Sequence, residues 1–335
     1  MATADQLKAL LRSHLEGDDR HFYSVAMQVA AHEAKQGHGR LAEEMRELID
    51  AAKAKRVPNE ISAAPVPLAR PKGELASLLS VSYPSRRFGD MVLSNDVDHS
   101  LQRVLKEQRY MTKLREHGLH PRRKILLVGP SGTGKTMTAA ALAGELGVPL
   151  FVVRLDALIT KFMGETAAKL RQVFDAVQST RGVYFFDEFD AIGSQRGLAN
   201  DVGEVRRILN SFLLMIEQDD SSSVIVAATN HPEILDQALF RRFDDVIEYH
   251  VPLPDEIHKL LQVRVARYMR GTKKVWNDLV VAAGGLSHAD ISRAIDDTLK
   301  DAVMRDVDQI VPTALLKLLE SRQAAKKRTD GHGKQ

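Results

Sequence analysis

Apolar positions along this chain follow two rhythms. Between residues 124 and 249, short apolar runs alternate with stretches in which apolar residues return every three or four positions. Lys124-Ile125-Leu126-Leu127-Val128, Pro149-Leu150-Phe151-Val152-Val153, Gly182-Val183-Tyr184-Phe185-Phe186, Val224-Ile225-Val226-Ala227-Ala228 and Asp245-Val246-Ile247-Glu248-Tyr249 read as strands. Met137 to Leu146, Thr166 to Gln178 and Glu204 to Glu217 between them read as helices. Near-continuous apolar strands separated by helices predict an α/β fold, with a parallel sheet covered on both faces. From Asp255 the strand pattern stops. Residues 255–270, 275–283, 288–304 and 312–326 read as helices of a small all-α domain.

Ahead of the sheet, residues 1–55 predict three short helices. Leu7, Leu10, Leu11 and Leu15 carry the first stripe, Phe22, Val25, Ala26, Val29 and Ala30 the second, and Leu41, Met45, Leu48 and Ile49 the third. His14, His21, His32 and His38 form no metal-binding spacing and read as surface or core histidines. Residues 57–72, with four prolines and no periodicity, form part of a linker. A strand-and-helix lead-in is expected from Tyr83 to Met91, then a helix from about Asn95 to Glu116. The expected domains are 1–55, a helical interaction module; 56–82, a linker; 83–252, the α/β domain; 253–326, the small α-helical domain; and 327–335, a disordered basic tail.

The chain has 335 residues and a net charge of +3, from 47 basic and 44 acidic side chains, a balance that does not demand nucleic acid as a partner. Arg322, Lys326, Lys327, Arg328 and Lys334 near the end read as a solvated terminus. The absence of cysteine excludes disulfides and thiolate metal sites. No apolar run approaches the ~20 residues that span a bilayer, and the N-terminus carries no signal-peptide pattern, so a cytoplasmic protein is expected.

Directly after the first strand comes Gly129-Pro130-Ser131-Gly132-Thr133-Gly134-Lys135-Thr136, and then a helix. Strand, glycine-rich turn and helix is the setting in which G-x-x-x-x-G-K-[ST] makes a phosphate loop. Its glycines let successive backbone N–H groups point at phosphate oxygens, and the helix N-terminus adds partial positive charge. Lys135 is expected to reach the β- and γ-phosphates and Thr136 to ligate Mg²⁺. Asp187 and Glu188 close the strand Val183–Phe186, at the edge where open α/β sheets bind ligands. They fit a Walker B element, with Asp187 holding Mg²⁺ through water and Glu188 polarising the attacking water.

Phosphate loop, hydrophobic-Asp187-Glu188-Phe189-Asp190, a strand ending Ala228-Thr229-Asn230, and then Ala238-Leu239-Phe240-Arg241-Arg242-Phe243-Asp244 together resemble an AAA+ ATPase over roughly residues 83–325. The style is that of the AAA subfamily of protein-remodelling machines, nearest its ESCRT-disassembly and microtubule-severing branch. The resemblance implies a P-loop NTPase sheet followed by an AAA+ lid domain, hydrolysis of the ATP phosphoanhydride bond, and ATP with Mg²⁺ as ligands. It implies Asn230 as sensor 1, and Arg241 and Arg242 as arginine fingers completing a neighbouring subunit's site, with the stronger finger left open. Lys161, Phe162 and Met163 fall where the family carries its first pore loop, and Ser194 to Gly203 where it carries a weaker second one. Gly284-Gly285-Leu286-Ser287-His288-Ala289-Asp290-Ile291 is similar to the family's G-[FL]-S-G-A-D-[IL] signature. There Gly285 would back the adenine, while His288 departs from the usual glycine. Asp90 and Met91 would supply the other adenine wall.

The implied function is a ring motor, a homo-oligomer and by resemblance a hexamer, that remodels, unfolds or disassembles protein substrates in a chaperone-like manner. Residues 1–55 would bind an adaptor or the substrate. The alternatives are an AAA+ ATPase in nucleic-acid transactions, for which no basic groove or helix-turn-helix is found, and delivery of substrates to a separately encoded protease, since no HExxH occurs.

Overall fold

The computed structural model describes residues 25–27, 29–30, 32, 38, 40, 42–43, 45, 71, 73–158, 163–192, 202–235 and 237–332. The chain divides into two compact units, Met1–Pro65 and Val66–Gln335. In the first, Val25, Ala26, Val29, Ala30 and Ala42 are buried. Most of the expected three-helix module lies outside the described residues.

The second unit runs α1 (Leu75–Leu78), β1 (Leu79–Ser82), α2 (Asn95–Arg109), α3 (Met111–Glu116), β2 (Lys124–Val128), α4 (Lys135–Leu146), β3 (Leu150–Val153), α5 (Leu155–Leu158) and α6 (Met163–Ser179). It continues through β4 (Val183–Phe186), α7 (Val202–Gln218), β5 (Val224–Thr229), α8 (Gln237–Phe240), β6 (Asp245–Glu248), α9 (Pro254–Val265), α10 (Lys273–Ala283), α11 (His288–Met304) and α12 (Pro312–His332). The six strands lie in the order β1-β3-β4-β5-β2-β6. Five are parallel, and β1 pairs antiparallel with β3 at the edge, Leu79 opposite Val153.

Alternation along the strands divides the core into two layers, as a period of two requires. Tyr184 and Phe186 of β4, with Ile225 and Ala227 of β5, face Leu170, Phe174 and Phe212 of α6 and α7. Phe185, Val224 and Val226 face Leu101, Val104 and Leu105 of α2 and Ala139 and Leu142 of α4. With both sides covered, the polar edge at the strands' C-terminal ends is left for chemistry. A separate cluster, built on Leu261, Val265, Leu279, Ile291, Ile295, Leu315 and Leu319, forms the core of the C-terminal helices α9 to α12.

Four local expectations change. The strand of the lead-in is Leu79–Ser82, not the stretch after Tyr83, because Leu78 and Leu79 bury into the first layer whereas Pro84 has no N–H for a ladder. Helix and strand therefore occupy part of the expected linker 56–82. The helix expected through Glu116 is interrupted at Tyr110, whose φ −99° and ψ 16° leave the helical region. Helix α12 continues to His332 where a disordered tail was expected from residue 327, since Ala324 to Arg328 are strong helix formers.

Candidate nucleotide site

The phosphate loop links β2 to α4. Its entry is tight. Gly129 has φ +145°, and a Cβ there would lie 2.2 Å from the Tyr249 carbonyl at the end of β6. Gly132 has φ +78°, and a Cβ there would lie 2.6 Å from the Ser287 hydroxyl. Glycine is required at both by backbone angle and by space. The loop is thus held between the sheet and the first turn of α11, where the Ala289 N–H donates to the Gly132 carbonyl at 3.0 Å. Ser287 fixes that turn by a capping box. Its hydroxyl accepts from the Asp290 N–H at 3.2 Å and donates to the Asp290 carboxylate at 2.7 Å.

Lys135, the first residue of α4, is buried, and its ammonium donates to the carbonyls of Gly129 (2.6 Å) and Pro130 (2.9 Å) and to Asn230 Oδ1 (2.8 Å). Burial lowers its pKa, opposed by the negative charges of Asp187 and Asp190. The Thr136 hydroxyl donates to Asp187 Oδ2 at 2.8 Å, so the two expected Mg²⁺ ligands already face one another. Glu188 is exposed beside them with φ +49°, a left-handed conformation uncommon outside glycine. Its N–H donates to Asp187 Oδ1 at 3.0 Å. The turn after β4 thus brings both carboxylates beside the loop, Asp187 bonded to Thr136 and Glu188 exposed.

Ser131 to Thr136, Asp187, Glu188 and Asn230 line a cavity of about 440 Å³ together with Asp90, Met91 and Val92 on one side and Leu260, Val263, Arg264, His288 and Ala289 on the other. That size falls within the range of small-molecule sites, ~300–1,000 Å³. A glycine-rich loop opening a helix, a lysine, a hydroxyl–carboxylate pair and the apolar side chains of Met91, Val92 and Leu260 fit a nucleoside triphosphate and its divalent cation. Among the described residues no group of three or more His, Cys, Asp or Glu side chains is placed to hold a metal ion.

Gly285 stands outside this lining; its φ is +79° and its carbonyl accepts from Lys326 of α12 at 2.8 Å. Arg241 and Arg242 also stand outside it. Arg242 donates to Glu217 of α7 at 2.6 Å, while Arg241 is exposed and pairs with no described residue. Lys161 and Phe162 lie outside the described residues, as does most of the second pore-loop stretch. Met163 opens α6.

Two residues were not singled out for the roles their surroundings suit. Asp190, nearly buried, accepts from the Thr229 hydroxyl at 3.0 Å and from the Asn230 N–H at 3.4 Å, fixing the tip of β5. Only its place in the acidic turn after β4 signalled it. Tyr249 shares a buried 2.6 Å hydrogen bond with Thr138 of α4, and burial raises its phenol pKa. It ties β6 to the helix that carries the loop.

The model of the ATPase family associated with various cellular activities (AAA) matches residues 125–251. The chain is 34% identical over 313 residues to "Uncharacterized AAA family ATPase y4kL" of Sinorhizobium fredii, covering 92% of each. It is 32% identical over 240 residues to "ATP-dependent zinc metalloprotease FtsH 1" of Methylacidiphilum infernorum, but spans only 38% of that protein. The crystal structure of the FIGL-1 AAA domain shares the fold, with a TM-score of 0.59 at 21% identity, covering 81% of this chain and 98% of that one. No helix among the described residues is long and apolar enough to cross a membrane. The protein is an ATPase, and it belongs to the AAA family.

Proposed function

We propose that this ATPase works as a ring, a hexamer by family likeness, in which ATP hydrolysis drives protein substrates through a central pore. What supports the assembly is where the expected residues lie. Lys135, Thr136, Asp187, Glu188 and Asn230 converge on one cavity, whereas Arg241 lies exposed outside it with no partner among the described residues. A transferring phosphoryl group spreads negative charge that a planar, always-charged guanidinium stabilises, and an arginine supplied in trans is typically worth ~10³ or more in rate. In this reading Arg241 serves the neighbouring subunit, and Arg242 is the one held at home by Glu217.

Within the cavity the roles follow from chemistry. Lys135 and Asn230, hydrogen-bonded to each other, address the same phosphate. Glu188, exposed on the cavity wall, orients the attacking water. Mg²⁺ held by Thr136 and Asp187 would neutralise charge on the phosphate oxygens. The adenine side is closed by Asp90, Met91 and the start of α11.

A protein substrate is favoured by the FtsH relatives, whose name is that of an ATP-dependent zinc metalloprotease. Phe162 and Met163 would grip the polypeptide. The test is Phe162→Ala in the full chain, measuring ATP turnover and the unfolding of a folded reporter protein carrying an unstructured tail. Turnover within about twofold of wild type with unfolding lost supports the reading. Unfolding at the wild-type rate by the variant sinks it.

A further inference from the structure

Helix α11 is closed firmly at its C-terminal end. Asp306 takes the left-handed conformation, φ +53°, and its N–H donates to the Val303 carbonyl at 3.1 Å. The Val307 N–H donates to the Ala302 carbonyl at 3.0 Å. Those two bonds make a Schellman closure, which gives the turn a fixed shape. The loop that follows is held as well, because Ile310 is buried and its N–H donates to the Tyr268 carbonyl at 2.9 Å. On this held frame Val303, Met304, Val307 and Val311 all stand in solvent, the first two 73% and 75% exposed. Asp301, Asp306 and Asp308 are exposed among them, against Arg305 as the one basic side chain. The tip of the small domain is thus a protruding apolar knob in an acidic surround.

A surface of the opposite kind lies on the α/β domain. A groove of about 460 Å³ follows the junction of α2 and α3, with Tyr110, Leu114 and Leu119 giving it a largely apolar lining. Tyr110 and Leu119 are more than half exposed. Arg103, Lys106 and Lys113 stand around it. Glu107, the one carboxylate of the lining, is held by Arg122 at 2.8 Å and Arg103 at 3.2 Å, so the groove keeps a positive balance. Exposed apolar patches rimmed by charge mark interaction sites. Both patches are exposed in the same subunit, so neither covers the other there. Two different surfaces that fit one another between copies make a head-to-tail contact, and such contacts close into rings.

We propose that the knob Val303 to Val311 docks into the α2–α3 groove of the next copy of this chain. Its apolar side chains fill the groove, and the carboxylates of Asp301, Asp306 and Asp308 meet the basic rim. The contact rests on the ring reading above and names a surface that holds the ring together.

The experiment is sedimentation velocity of the full chain across a range of protein concentrations, with adenylyl imidodiphosphate and Mg²⁺. Two variants each set like charges face to face: Lys106→Glu with Lys113→Glu in the groove, and Asp301→Lys with Asp308→Lys on the knob. All four positions are exposed, and Asp306 is left in its turn, so the thermal transition should hold. Each variant is expected to raise the concentration of half-assembly at least about tenfold. Combining the four substitutions in one chain exchanges the signs of both faces and should return that concentration to within about threefold of wild type. An equimolar mixture of the two variants should recover likewise, because each face then finds its opposite on the other protein. Unchanged assembly of either variant, or recovery in neither the combined chain nor the mixture, overturns the contact while leaving the ring. A wild type that stays monomeric throughout overturns the ring and the contact with it.

Discussion

Replacing Asp190 by alanine separates the support of the site from the site itself. Its carboxylate is nearly buried and holds the Thr229 hydroxyl at 3.0 Å and the Asn230 N–H at 3.4 Å, while Asn230 Oδ1 accepts from Lys135 at 2.8 Å. A hydrogen bond to a charged group contributes ~1.5–3 kcal/mol, and the longer second bond adds less. Removal leaves the proton of the fully buried Thr229 hydroxyl without its acceptor, although the oxygen still accepts from the His231 N–H at 3.0 Å, and the carboxylate no longer needs desolvating. The net loss is about 2–3 kcal/mol, which for a folded unit of this size lowers the melting temperature by about 4–12 °C. Freed at its backbone, Asn230 loses its set position against Lys135, and kcat is expected to fall ~10- to 100-fold, as for misplacements of about an ångström. Asp190→Asn keeps an acceptor in place and should restore most of both quantities. The assays are calorimetric melting, steady-state phosphate release and nucleotide binding, the last expected to change less than about threefold. A destabilised Asp190→Ala enzyme with wild-type kcat would refute the reasoning, because Asn230 would then owe nothing to Asp190.

Tyr249→Phe removes the buried 2.6 Å bond to Thr138 without opening a cavity, so a loss of about 1–2 kcal/mol is expected with turnover little changed; thermal melting and phosphate release check it together. Stability should also respond to pH through His288, whose folded pKa lies below its ordinary value of 6.5. The unfolded chain binds the proton first as pH falls, so stability present above pH 6.5 declines between that value and the lowered folded pKa. Denaturant titrations across that window should show a shallower decline in His288→Phe than in wild type.

The phosphate loop and the carboxylate turn were legible because their chemistry is local: eight consecutive residues and two more at one strand end. The sheet's parallel core was legible from unbroken apolar runs such as Val183–Phe186. The edge was not, since Leu79–Ser82 is four residues long and is fixed only by pairing with β3. The far wall of the cavity was half legible. Asp90 and Met91 reach the cavity, but Gly285 faces Lys326, and the wall is made by His288 and Ala289, placed there by a docking of α11 on Gly132 that no spacing encodes. Asp190 read as one more acid in a turn, and only the neighbouring β5 tip gives it a purpose. The contrast between Arg241 and Arg242 is likewise tertiary, because Glu217 comes from a different helix.

A mixing experiment tests the shared site most directly. Lys135→Ala and Arg241→Ala proteins, each expected to be nearly inactive alone, are combined in equal amounts, equilibrated, and assayed for phosphate release. In randomly mixed rings with head-to-tail interfaces, an intact Lys135 meets an intact Arg241 at about one interface in four, so roughly a quarter of the wild-type rate should return. Activity no greater than the sum of the two separate proteins would contradict an arginine working across subunits, as would an Arg241→Ala protein that hydrolyses ATP at the wild-type rate on its own.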